Sequence, residues 1–184
     1  MHAIKYLAET AAIAENIDPM QIEALATELH KLTGKLYIIG LGGSMSNAIH
    51  MAADLCKLCE INAEAFCNIA ELTARANDEG FDTVFDGWLS RINKDDALFV
   101  LSVGGGTEKV SRGLTRSVDK ATRVGAKVFG IVGNIGGTTA AKGDCVIKIP
   151  APADRITPHT EAFQAVIWHA LVSHPLLQRK PTTW

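Results

Sequence analysis

Residues 37–55 read YIIGLGGSMSNAIHMAADL, and the order of residue types in them decides the fold. Three strand formers, Tyr37, Ile38 and Ile39, run into a glycine turn, then a serine, then an alanine-rich helix. Strand, glycine turn and helix in immediate succession make the opening half of a β–α–β unit. On the helical side His50 and Asp54 stand four residues apart, so an imidazole and a carboxylate share one face.

Working outward, the same grammar recurs. Apolar runs that end at turn residues appear in KLYIIG, DALFVLSVGGG, AKVFGIVGN and DCVIKIPA, and a further short strand is expected in AEAFCN, 63–68. Helical spacing is expected over 44–59, 82–92, 107–124 and 159–174, between or after these runs. Ahead of them, 3–16 and 19–33 carry apolar positions at helical period. Asp18 is the expected N-cap, Pro19 stands in the first turn and Gly34 is the stop. Parallel strands need crossover connections, so this alternation predicts an α/β fold. The expected form is a three-layer α/β/α sandwich on a five-stranded parallel sheet, with an N-terminal helical extension. One domain over 1–184 is expected: helices to 34, a binding core over 35–175, and a polar tail over 176–184 that leaves the body.

Composition bounds the function. With 184 residues, 47% of them hydrophobic and 21% charged, and a formal charge of −2, the chain has a sizeable core and no basic field for nucleic acid. No apolar run approaches the roughly 20 residues that span a bilayer, so no membrane partner is expected. The first residues carry acids and lack a cleavable signal pattern, and cysteines occur at 56, 59, 67 and 145, too few for a disulfide framework. A cytoplasmic location is the expectation. Cys56 and Cys59 form a C-x-x-C without the second pair a zinc site of that type requires, so they read as small buried hydrophobes.

In sheets of this type ligands gather beyond the carboxyl ends of the strands. Three such ends are glycine-rich: 40–44, 102–107 and 133–138. Glycine lets backbone approach an anion, and a helix start offers free N–H groups and positive dipole. Ser44, Ser102 and Thr107 add hydroxyls. No Gly-Lys-Ser/Thr occurs, and Gly40-x-Gly42 has Met45 where a dinucleotide fingerprint has its third glycine. A small phosphorylated molecule is the expected ligand.

Four stretches, in order along the chain, resemble one family. GLGGSMSNAIHMAADL is similar to the GNGGS…H…AEEL segment of the sugar-isomerase (SIS) fold in its phosphoheptose isomerase branch. ELTARANDEGFDTVF resembles that branch's Asn-Asp-x-Gly stretch, LSVGGGTEKV its STSGNS phosphate loop, and TEAFQAVIWHALV its last helix. The resemblance implies a ketose–aldose isomerase that converts sedoheptulose 7-phosphate to D-glycero-D-manno-heptose 7-phosphate through an enediol. It also implies zinc, and a homotetramer with active sites shared between subunits. Carried over by position, the catalytic pair is Asp54 and His169. Substrate would be held by Gly42, Gly43, Ser44, Asn77, Asp78, Ser102, Val103, Gly104, Thr107 and Glu161, and metal by His50, Asp54, Glu161 and His169. The chain departs from the pattern at Leu41, in SVGGGT, at Asp54 (glutamate in the family) and at Glu161 (commonly glutamine).

The residues also argue for themselves. Interconverting a ketose and an aldose needs one base for the carbon-bound proton and a second group that moves a proton between two oxygens, and a carboxylate and an imidazole suit those parts. Eight residues of continuous helix would set Glu161 about 12 Å from His169, so both reach one ion only if Glu161 lies before the helix proper or a second subunit supplies one of them. Plainer readings stand beside these. His50 and His169 could be packed histidines, Asn77-Asp78-Glu79-Gly80 a turn, and His159 a dressing of a helix start capped by Thr157 or Thr160. A non-catalytic sugar-phosphate sensor or protein-binding scaffold, or an isomerase of another phosphosugar, are the alternatives on the same fold.

Overall fold

The computed structural model describes residues 1–182. Its centre is a five-stranded, wholly parallel sheet: β1 Leu36–Ile39, β2 Ala63–Ala65, β3 Ala97–Ser102, β4 Lys127–Gly133 and β5 Cys145–Ile149, in the order β2-β1-β3-β4-β5. The register is set by alternation. Leu36, Ile38, Phe99, Leu101, Phe129 and Ile131 enter one core, while Tyr37, Ile39, Leu98, Val100 and Val128 enter the other. Both faces are therefore buried, as a parallel sheet requires.

Helices α2 Pro19–Lys31, α3 Gly43–Cys59 and α7 Ile156–Val172 cover the first face. Helix α5 Arg112–Val124 and the segment containing Val84, Phe85 and Leu89 cover the second. Helix α1 His2–Asn16 lies outermost, with Ile13 its one buried residue. Asp18 caps α2 by accepting from the Met20 amide, and Pro19 opens the helix, as the sequence predicts.

Several expectations shift. Residues 82–92 form no continuous helix but two 3-10 turns, Phe81–Thr83 and Trp88–Arg91, with Gly87 at the break. A helix, α4 Ile69–Asp78, stands where none was expected, and Asn77 and Asp78 close its last turn. The helix expected from 107 starts only at Arg112, after a turn that Thr107 closes onto Val110. The helix expected from 159 starts at Ile156, so neither Thr157 nor Thr160 is its N-cap. A short helix, α6 Gly137–Lys142, follows the third glycine loop. Nor does the tail leave the body as far as Lys180; residues 183–184 lie outside the described residues. Leu177 is buried, and the Arg179 and Lys180 amides donate to the Leu58 carbonyl, which the end of α3 leaves without a helical partner.

This topology places the ligand edge. From β1 the chain winds one way to β2, then crosses to β3 on the other side. The switch point thus lies between β1 and β3, flanked by loops 40–44 and 102–107.

Candidate active site

Helices α3 and α7 run side by side in the same direction, and their contacts read like rungs. At the top the Glu161 carboxylate lies over Gly43, where an added Cβ would collide with it. Next, Asn47 Nδ2 donates to the Glu161 carbonyl at 2.9 Å and to Gln164 Oε1 at 3.0 Å, while Gln164 Nε2 donates to Ser44 Oγ at 3.1 Å. Lower down the His50 ring lies 4.6 Å from Trp168, and at the bottom Cys59 Sγ faces the Val172 carbonyl at 3.5 Å. The polarity of the middle rungs is fixed. A backbone carbonyl only accepts, so Asn47 presents N–H groups, Gln164 answers with its oxygen, and its amide must donate to Ser44.

Halfway down, His50, Asp54 and His169 each offer a ligand atom within 4.8 Å of the others. His50 Nε2 and Asp54 Oδ2 are 3.7 Å apart, joined by the four-residue spacing seen in the sequence. His169 reaches them from α7. Its Nδ1 donates to the Ala165 carbonyl at 2.8 Å, so Nδ1 carries a proton and the neutral form of the ring has its lone pair on Nε2. The trio borders a cavity of about 510 Å³ that Lys57, Ser173 and Gln178 also line. His50 and His169 are exposed and Asp54 half-buried, so the trio faces outward.

The glycine loops sit higher. Gly42, at φ 60°, turns β1 into α3 and is exposed together with Gly43. Ser44 turns inward, 2% exposed, with Gln164 on its hydroxyl. Ser102 Oγ accepts from the Gly105 amide at 3.0 Å, which leaves its O–H free to donate. Val103 accepts from the Gly133 amide, and Gly104 has open space where a side chain would be. The Gly105 and Gly106 carbonyls take the Thr139 and Thr138 amides, so the start of α6 is closed by protein and offers no anion site. Thr107 uses its hydroxyl within its own turn: it accepts from the Lys109 and Val110 amides and donates to the Val110 carbonyl.

The expected residues therefore fall into separate groups. His50, Asp54 and His169 meet. Gly42, Gly43, Ser44 and Glu161 form the top of the α3–α7 seam, and Ser102, Val103, Gly104 and Thr107 form the neighbouring loop. Glu161 stands apart from the trio because α7 is continuous, and the distance of about 12 Å to His169 holds. Asn77 and Asp78 are exposed at the end of α4, bonded to each other at 2.7 Å. Along α3, His50 and Asp54 lie about 9 and 15 Å below Ser44, at 1.5 Å per residue. Sequence reasoning missed Asn47, Gln164 and Trp168. Amides bonded inside a helix seam leave no mark in a hydropathy pattern, and Trp168 reads as core.

The two cysteines of the C-x-x-C point to different carbonyls, Cys56 to Ala63 and Cys59 to Val172, and burial pushes the Cys59 thiol up to about 11. Cys59 is buried as expected, whereas Cys56 is exposed, because it lies on the face of α3 turned away from the core.

No family model matches the chain. The phosphoheptose isomerase of Helicobacter pylori (strain P12) is 28% identical over 180 residues, which cover 91% of this chain and 90% of that protein. The phosphoheptose isomerase of Vibrio vulnificus (strain CMCP6) is 33% identical over 147 residues, 74% of this chain and 75% of that one. Among solved structures, the phosphoheptose isomerase of Neisseria gonorrhoeae superposes with a TM-score of 0.82 at 25% identity, covering 93% of this chain and 96% of that one. At the identity and coverage of the Vibrio vulnificus match, the chain belongs to the phosphoheptose isomerase family.

Proposed function

We propose that this chain interconverts sedoheptulose 7-phosphate and D-glycero-D-manno-heptose 7-phosphate. The observation that carries the reading is the meeting of Asp54 and His169, 115 residues apart in the chain and on different helices, with their functional atoms within 4.8 Å. A sensor or scaffold would have no need of that pair.

The enediol route divides the work between them. Asp54, half-buried beside His50, takes the carbon-bound proton and returns it to the adjacent carbon. His169, its tautomer fixed by Ala165, accepts at Nε2 the proton of one substrate oxygen and delivers it to the other. The phosphate goes to the switch-point loops, where the Ser102 hydroxyl and the open backbone at Gly104, Gly42 and Gly43 supply donors. Thr107 joins them only by leaving its bonds to Val110.

Two imidazoles and a carboxylate at this spacing suit a zinc ion, which accepts nitrogen and oxygen ligands. His50, Asp54 and His169 would hold it, and its charge would stabilise enediolate oxygens. A side chain bound to an ion does not also shuttle a proton, so Asp54 and His169 each do one or the other. Glu161 reaches such an ion only from a second copy of the chain, in keeping with sites shared across a homotetramer. The outward-facing trio and its separation from the loops support the same reading.

The test is direct. The protein is incubated with sedoheptulose 7-phosphate, with and without a chelator, and aldoheptose 7-phosphate is measured. Formation of product supports the function, and no product with this or related ketose phosphates overturns it. Loss of turnover with chelator assigns the trio to the ion; unchanged turnover assigns Asp54 and His169 to proton transfer.

A further inference from the structure

The indole of Trp168 stands against both site imidazoles without belonging to the trio. It is 1% exposed. Its ring stacks on that of His169, centroids 3.5 Å apart at 28°, and lies 4.6 Å from that of His50 at 60°. The two imidazoles meet edge to face, 5.7 Å apart at 88°. One aromatic wall thus supports both.

The polar end of Trp168 does not explain its presence. Its Nε1 is buried with no acceptor among the described residues, a situation that opposes folding. What the residue supplies is the face of its ring. His169 is consequently held twice, by its Nδ1–H on the Ala165 carbonyl and by the stack across its plane. The last torsion of a histidine is soft, and these two contacts together fix it. His50, exposed to solvent and with no hydrogen bond to a carbonyl among the described residues, has the same wall on one side and Asp54 on the other.

We infer that Trp168 is a positioning residue whose ring sets the planes of His50 and His169, so that their nitrogens converge with Asp54. The inference rests on the reading of the trio as the reacting or ion-holding centre. Groups that orient such side chains typically change metal affinity or activity by about 10–100-fold when removed.

Two variants separate orientation from simple filling of space. Trp168→Phe keeps a ring face and removes the orphaned N–H, whereas Trp168→Met fills the space without a face. Each is compared with the parent by calorimetric titration with zinc alone, by kcat and KM for sedoheptulose 7-phosphate, and by nitrogen NMR of the histidine rings. In Trp168→Met, zinc affinity and kcat fall by about tenfold or more. KM changes by less than about threefold, and the His169 ring loses its single tautomer. Trp168→Phe stays near the parent in all of these. The inference is overturned if Trp168→Met retains zinc affinity, kcat and the tautomer, or if Trp168→Phe loses as much as Trp168→Met. A parent that takes no zinc defeats only the metal reading, and kcat and NMR then decide. A parent without isomerase activity defeats the function, and NMR alone still decides on Trp168. Should Trp168→Met fail to fold, Trp168→Leu takes its place in the same measurements.

Discussion

The proposed base, Asp54, is one methylene shorter than glutamate, and its helix delivers it beside an imidazole. Asp54 and His50 lie on one face of α3, Nε2 to Oδ2 at 3.7 Å, and His169 arrives from α7 with its Nδ1–H held by the Ala165 carbonyl. Removing the charge of Asp54 while keeping its shape tests the assignment. In Asp54→Asn we expect kcat to fall by about 10²–10⁴-fold, the usual contribution of a positioned general base. Calorimetric binding of the sugar phosphate should be largely kept, because the switch-point loops are untouched. Turnover at the parent rate would remove Asp54 from the reaction. At this scale the sequence was half legible. The spacing of His50 and Asp54 is written in the helix period, but the third member depends on which face α7 turns to α3. Trp168 and Gln164 were invisible for the same reason, since a buried ring and a buried amide declare their partners only once the two helices are packed.

The seam between α3 and α7 and the docking of α1 hold these residues in place. Gln164 is wholly buried and joins Asn47 to Ser44 through bonds of fixed polarity. Replacing it with leucine leaves an Asn47 N–H and the Ser44 hydroxyl without their partner. We therefore expect Gln164→Leu to lower stability in urea unfolding by about 1–3 kcal/mol, the cost of unsatisfied buried polar groups. An unchanged midpoint would mean that the rungs are idle. Helix α1, with little buried apolar surface, depends on one polar anchor. Glu9 takes two bonds from the Arg155 guanidinium at 2.6 Å and one from His159 at 3.1 Å, and Tyr6 stacks on His159. Arg155 above all, then His159, holds the Glu9 carboxyl down at about 2, against an ordinary value of 4.5. A carboxylate with a depressed folded pKa contributes its full stabilisation above its unfolded value and loses it as pH falls through the folded one. The parent should thus exceed Glu9→Gln in stability at pH 7, and the gap should close between about pH 4.5 and 2, as unfolding curves of both proteins would show. A constant gap would place the contribution elsewhere. Element boundaries were legible where a cap was read, as at Asp18. They failed where one was overlooked: Asn68 accepts from the Glu71 amide, and that Asn-x-x-Glu pattern announces α4.

The whole molecule was the most legible level, because strand, glycine turn and helix recur in an order that allows few topologies. The strand order puts loops 40–44 and 102–107 at the switch point, which the glycines alone had suggested. What no pattern in one chain could reveal is the mismatch in height between those loops and the trio, with His50 and Asp54 about 9 and 15 Å down α3 from Ser44. A second copy that sets its loops against this trio would remove the mismatch, and it would bring Glu161 to an ion that its own α7 cannot reach. The consequence can be measured with two inactive variants. Gly104→Asp sets a carboxylate on the phosphate loop, where a side chain has open space, so the fold should be kept while phosphate is repelled. His169→Ala removes the imidazole of the trio. If each site joins the loops of one copy to the trio of another, a chain defective in one part can complete a chain defective in the other. Coexpressed in equal amounts with random assembly, about a quarter of the sites then carry neither defect, and activity should return to about a quarter of the parent's. If loops and trio of one chain serve the same site, every site carries one defect or the other, and the mixture should be as inactive as each variant by itself.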